Sequence, residues 1–166
     1  MQGWTGSPDE EQCCPSGLGA VGSDEILARR TIKRTAAPLA YAWFKREDFI
    51  PKSQGFSNGC GTKDGLSVDR RDTLSDEQIF ERSNQFANIG KNRVGDGAYL
   101  IKVETVRKAR KYNAPNQQVL FVYDDPMIDN QEHAVIRIAE DVPDEERGIL
   151  LDVLQEEFSK NHLKPA

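Results

Sequence analysis

The run QVLFVY at 118–123 constrains this chain more than any other stretch. Six residues suit a strand and fall short of a helix, and β-branched and aromatic side chains fit a pleated surface. The run is apolar at nearly every position rather than at every second one. That is the pattern of a strand covered on both faces, so it is expected at the centre of a sheet. The rest of the chain then has to supply its neighbours and its cover.

Four other segments read as strands: LAYAWF (39–44), GLSV (65–68), AYLIKVE (98–104) and HAVIRI (133–138). In the first, Leu39, Tyr41 and Trp43 alternate with other residues. Helical patterns lie among them. SDEILARRTIKRTAAP reads as a short helix capped by Ser23, with Asp24 and Glu25 at its positive end and a stop before Pro38. Thr73 or Ser75 caps a second helix, and Ser75 with Gln78 has capping-box spacing. Ile79, Phe80, Ser83, Phe86 and Ala87 trace its inner face, with Phe86 the deepest contact and Gly90 the stop. GDG (95–97) reads as a turn, and TVRKARKYN (105–113) as a short basic helix. Pro143 opens a last helix that runs to about Asn161. Its apolar stripe is Ile149, Leu150, Val153, Leu154 and Phe158. Strands and helices come in mixed order without regular alternation. The fold predicted over 23–166 is therefore a single α+β domain, with one twisted mixed sheet of about five strands and helices packed on it. Residues 1–22 are rich in Gly, Pro, Ser and acid and show no period, so a disordered leader is expected there.

At 166 residues, 37% apolar and 30% charged, the chain has room for one sizeable core. A net charge of −5 gives no overall pull toward nucleic acid or an anionic membrane. No window is apolar enough for a membrane span, and the first residues lack the pattern of a secretory signal. A cytoplasmic location is expected. The cysteine count of three is odd, which argues against a closed disulfide framework. Cys13, Cys14, Cys60, His133 and His162 are too scattered for a zinc site, and no metal is expected.

His133 is the first candidate for chemistry. It opens a strand after a polar loop, beside Glu132 and near Asp129, and a neighbouring carboxylate would raise its basicity. The stretch 45–64 is long for a structureless connection. Within and beside it, Gly55, Gly59, Gly61 and Gly65 allow backbone amides to approach an anion. Their spacing is neither a Walker loop nor a dinucleotide fingerprint. Cys60 is a candidate nucleophile with His133 as its base. In SVDRRD (67–72), Arg70 or Arg71 offers a planar fork for phosphate or carboxylate. RKARK (107–111), with Lys102, is a basic patch set against the acidic stretch 124–146. Nucleic acid could reach Arg107–Lys111 through phosphates, although no stacking aromatics accompany the patch.

The elements GF…KDGLSVDR, AYLIKVETVRKA and DDPMIDNQEHAVI, spanning roughly residues 40–138, resemble a loose group of small bacterial proteins. That group shares a D-G-(L/M)-S-V element, a D-P turn and an H-A-x-I strand. It implies a fold unit and a site region without a reaction. A second similarity is to NAD-using toxins and ADP-ribosyltransferases of the RES and related types. AWFKRED, GFSNGCGTKDG, LSV and LSDEQIFER come in the order of their elements, without the aromatic those toxins carry in the glycine-rich part. The resemblance implies a phosphate-gripping cation at Lys45 or Arg46, a hydroxyl at Ser57 or Ser67, and an acid at Glu77 or Glu81.

Two functions are therefore expected. The lack of a strong catalytic constellation favours a small cytoplasmic bacterial interaction or accessory protein with a protein partner and no cofactor. It would act through loops 45–64 and 124–132 and the basic helix. The alternative is an NAD- or nucleotide-binding enzyme, intact or degenerate. There His133, Ser67 and Arg46 would be catalytic, and Lys45, Arg70, Gly59 and Gly61 would hold the ligand in one cleft.

Overall fold

The computed structural model describes Leu18 and residues 20–34, 40–41, 65–87, 92–139 and 142–165. The expected strand residues 42–44 and the long connection 45–64 lie outside them. So do most of the leader and Gly90.

The described chain is α+β. Its strands are β1 (Ile26–Arg34), β2 (Ala40–Tyr41), β3 (Leu66–Arg70), β4 (Arg93–Lys102), β5 (Arg110–Lys111), β6 (Ala114–Gln118), β7 (Leu120–Asp124), β8 (His133–Ile138) and β9 (His162–Leu163). The helices are α1 (Asp76–Ala87), α2 (Val103–Arg107) and α3 (Asp144–Ser159). Seven strands form one sheet in the order β7-β8-β3-β1-β4-β9, with β2 on β1, while β5 and β6 form a separate ribbon. Among the described residues every pairing is antiparallel, where a mixed sheet of about five strands was expected. β7 stands at the end of the order rather than at its centre. All five of its residues are buried all the same, because side chains cover both its faces and α2 packs against it. Continuous apolarity reported cover on two faces, which an end strand can have.

β1 is the larger correction. The segment read as a helix capped by Ser23 is a strand between β3 and β4. Its hydrogen-bonding groups are claimed from outside. The Ser23 and Glu25 carbonyls accept the N–H groups of Glu104 and Val103, which start α2. The Ser23 hydroxyl accepts from Arg107. β-Branched Ile26, Thr31 and Ile32 suit the strand. Val21, at the end of the expected leader, is buried in the main core cluster.

The GDG segment is a β-bulge inside β4, not a turn. Arg30 pairs with Ala98 but Ile32 pairs with Gly95, so β4 carries one extra residue there. Gly97 supplies the positive φ of 80° that the bulge requires. The hydroxyl of Ser83 on α1 enters the gap. It donates to the Thr31 carbonyl at 2.6 Å and accepts from the Asp96 N–H at 2.9 Å. Gly95 lets the helix come this close, since a Cβ there would lie 2.5 Å from the Asn84 nitrogen.

α1 starts with the predicted capping box. Ser75 N–H donates to Gln78 Oε1 at 2.8 Å, and Gln78 N–H donates to Ser75 Oγ at 3.2 Å. Its buried residues are Ile79, Ser83 and Ala87, while Phe86, the expected deep contact, is only half-buried. α3 begins after Pro143 as predicted and buries Leu154 and Phe158. Of its other stripe residues, Leu150 is half-buried against the core, while Ile149 and Val153 are exposed.

Strand alternation gives the sheet two unlike faces. Leu27, Leu66, Val68, Ile101, Val122, Ala134 and Ile136 point to one, where α2 and α3 complete the main core with Val103, Val106, Leu154 and Phe158. On the other face α1 covers β1 and β4, burying Ala28, Leu74, Ile79 and Ala98. Beyond α1, toward β3 and β8, that second face carries Ser67, Asp69 and His133.

Candidate functional site

β1 and β3 pair only at Leu27 with Arg70 and at Ala28 with Asp69. Past that point Arg29 Nη1 donates to the Ser67 carbonyl at 2.7 Å. A cleft of about 500 Å³ opens here on the α1 side of the sheet. Residues from β1, β3, α1 and the β7–β8 loop line it, among them Arg30, Ser67, Arg82, Phe86, Asn130 and His133.

Ser67 and His133, both expected at a site, meet in this cleft. β3 and β8 are neighbours, with Asp69 opposite His133 and Ser67 opposite Val135. The Ser67 Oγ lies 3.1 Å from His133 Nε2. The other imidazole nitrogen, Nδ1, is 2.7 Å from the Asp125 carbonyl oxygen and 3.2 Å from Asp125 Oδ2. Both of those oxygens can only accept, so Nδ1 carries the proton. In the neutral ring Nε2 is then left with its lone pair and accepts from the Ser67 hydroxyl. The result is a line Ser67–His133–Asp125, with His133 only 3% exposed at its centre. The hydrogen bond that orients the ring runs to the Asp125 main-chain carbonyl, and the Asp125 carboxylate stands beside it at ion-pair distance.

Asp125 was not among the candidates. The carboxylates expected beside His133 were Glu132 and Asp129. Glu132 pairs instead with Arg82 at 2.9 Å, and Asp129 lines the cleft. The signal available in the sequence was the β7–β8 hairpin. If QVLFVY and HAVIRI pair antiparallel, the residue after the first strand comes to the start of the second.

Beneath the cleft Asp69 is buried and takes three partners. Arg30 Nε reaches its Oδ2 at 3.2 Å, Arg82 Nη1 its Oδ1 at 3.2 Å, and Asn130 Nδ2 donates to Oδ1 at 2.9 Å. Burial pushes its pKa upward, but Arg30, the Asn130 hydrogen bond and Arg82 outweigh that and hold it below the usual carboxylate value. Arg82 also donates to Asn130 Oδ1 at 2.7 Å, tying α1 to the β7–β8 loop.

Arg70, expected to hold a cofactor, is elsewhere. Strand parity sends it to the face opposite Ser67, where it is 3% exposed. It pairs with Glu25 through Nε and Nη2 at 2.9 and 2.8 Å, and with Asp124 at 3.2 Å. Arg71 pairs with Asp76 at the start of α1, and Glu77 and Glu81 are exposed on that helix. Lys45, Arg46, Ser57, Gly59, Cys60 and Gly61 lie outside the described residues. The basic patch is not one helix face. Arg107 ends α2 and donates to Ser23 and Val21, Lys108 pairs with Glu104, and Arg110 and Lys111 belong to the ribbon.

His162 shows the opposite chemistry. Its Nε2 lies 2.7 Å from the Asp96 carbonyl oxygen and 3.0 Å from Thr31 Oγ1, and its ring meets Tyr99 edge-on at 4.8 Å. It fastens β9 to the bulge. Among the described residues no group of three or more His, Cys, Asp or Glu could hold a metal ion. No described helix is long and apolar enough to cross a membrane. Comparison with family models, with curated proteins and with solved structures gives no match to this chain.

Proposed function

We propose that this protein is a cytoplasmic enzyme of the hydrolase or transferase type, working as one folded unit, with Ser67 as nucleophile and His133 as general base. The observation that carries this reading is the hydrogen-bonded line from the Ser67 hydroxyl through His133 to the Asp125 carbonyl, with the Asp125 carboxylate 3.2 Å from the ring, at the wall of a cleft. In the reaction the Ser67 oxygen bonds to an electrophilic acyl or phosphoryl centre while its proton passes to His133 Nε2. The Asp125 carbonyl keeps the proton on Nδ1, and its carboxylate, 3.2 Å from the ring, offsets the charge of the imidazolium that forms. The leaving group departs with the proton from Nε2. Water then attacks the covalent intermediate by the same route and restores the serine.

A fluorophosphonate probe tests this directly. Ser67 Oγ would bond to phosphorus as fluoride leaves and the proton goes to His133. Labelling at Ser67, lost in Ser67→Ala and slowed about a hundredfold or more in His133→Ala, is the expected result. An unlabelled wild-type chain would overturn the reading. NAD and other nucleotide-like ligands are proposed for the same cleft, and a thermal-shift series with NAD, ADP-ribose and nucleotides checks them.

A second reading, an interaction protein with a protein partner, is favoured by a different observation. On the outward face of α3, Ile149 is 64% and Val153 52% exposed, and Tyr112 nearby is 86% exposed. The Tyr112 N–H donates to Glu146 on the same helix at 2.8 Å. Exposed apolar groups placed together mark contact surfaces. An identified partner should bind the double variant Ile149→Lys, Val153→Lys at least tenfold more weakly. Unchanged affinity would remove this surface from consideration.

A further inference from the structure

We infer that the cleft takes a small molecule with an oxyanion, phosphate or carboxylate, carried by Arg30 and Arg82, and an apolar portion seated on Phe86 and Met127. This rests on the reading of the cleft as a reaction site and names the substrate class of that site. Two arginines, Arg30 and Arg82, line the cleft on this face of the sheet. The Arg30 side chain is a third exposed and turns its Nε to Asp69, while a guanidinium carries five N–H donors in all.

The arrangement of the cations argues for a specific grip. Asp69 takes Arg30 on one carboxylate oxygen and Arg82 on the other. The two guanidinium groups are thus held beside a single carboxylate and beside each other. Asn130 and Glu132 fix Arg82 further. Guanidinium groups ordered in advance lose little entropy when an oxyanion arrives, and their planar donor sets match phosphate or carboxylate geometry. The remaining wall is of another kind. Phe86 and Met127, each half-buried, offer an aromatic ring and a polarizable thioether. This also explains why Phe86 sits outside the helix's core contacts. A ligand that uses both walls has its reactive centre next to Ser67, which lines the same cleft.

Isothermal titration of the full chain with phenyl phosphate, phenylacetate and neutral 2-phenylethanol tests the proposal. One of the anions should bind at least tenfold more tightly than the alcohol, and the tighter of the two identifies the head group. Arg30→Gln should lose at least tenfold and Arg30→Lys less. In the wild-type chain, where no substitution disturbs folding, the Arg30 and Arg82 Nε–H resonances should move during the titration. Equal affinity for the alcohol, or resonances that stay in place, would overturn the inference. The two proposals separate cleanly. Anion binding without fluorophosphonate labelling keeps the ligand class and removes the nucleophile. Labelling without anion preference does the reverse.

Discussion

Asp69 is the residue on which the α1 side of the sheet turns. A buried carboxylate is costly unless it is paired, and here Arg30, Arg82 and Asn130 share the task. Its pKa is lowered in the folded chain relative to the ordinary 3.8. A lowered carboxylate pKa contributes stability that is complete above the unfolded value and is lost as pH falls through the folded one. Asp69→Asn should therefore cost about 3 kcal/mol near neutral pH, because two guanidinium groups lose their shared acceptor. The gap between variant and wild type should close as pH drops below about 4. Urea midpoints at pH 7 and pH 3 measure it, and a constant gap would mean that the charge is not what matters. His133 was legible from its place at the entrance of HAVIRI. Asp125, whose carbonyl orients it, was not, because its partnership follows only once QVLFVY and HAVIRI are paired as an antiparallel hairpin.

At the scale of elements, one hydroxyl hydrogen-bonds α1 to both β1 and β4 at the bulge, beside the apolar contacts of Ile79 with Ala28 and Ala98. Ser83 serves the Thr31 carbonyl and the Asp96 N–H, two groups that the bulge removes from the strand ladder. Ser83→Ala should cost about 2 kcal/mol, the penalty for leaving buried backbone groups unsatisfied, read as a lower thermal midpoint. Gly97→Ala strains the same bulge differently. Its φ is +80°, and a Cβ would fall 1.8 Å from the Leu163 carbonyl oxygen. β9 should detach before the sheet melts, seen as faster amide exchange at Leu100, whose N–H donates to the Asn161 carbonyl. Exchange at wild-type rates would show that β9 does not depend on the bulge. These elements show what a sequence carries well. The capping box of α1 and the Pro143 start of α3 are local chemistry, and both stand where they were expected. The segment leading into β1 does not start a helix, because the Ser23 and Glu25 carbonyls just before the strand accept the first N–H groups of α2, a demand set almost 80 residues further along the chain. GDG was misread as a turn because glycine serves a bulge and a turn by the same freedom of φ. Phe86 matched the helical period, yet periodicity does not say whether an inward ring meets core or cleft.

At the scale of the whole molecule, the two faces of the sheet are joined through Arg70. Its side chain holds Glu25 and Asp124 on the core face, and its Nη2 reaches the Ala20 carbonyl at 3.4 Å. Its backbone N–H donates to the Glu132 carbonyl at 2.8 Å. Asp124 precedes Asp125 in the chain, and Glu132 precedes His133. A residue expected to grip a ligand therefore borders His133 and its partner Asp125 from behind the sheet. Arg70→Met should have two consequences of different kinds. Glu25 and Asp124 would lose a buried counter-charge, at a cost of about 3–5 kcal/mol, read as a lower urea midpoint. Asp125 would also lose the support that fixes its approach to Nδ1. The His133 ring would then sample both tautomers, visible in its ¹⁵N resonances under conditions where the variant is still folded. Arg70→Lys, which keeps the charge but not the bidentate grip on Glu25, should recover part of the stability. It should recover the tautomer more fully, because a single ammonium can still hold Asp124. If Arg70→Met lowers the midpoint and leaves the ring nitrogens unchanged, Arg70 serves the core alone and the two faces are independent.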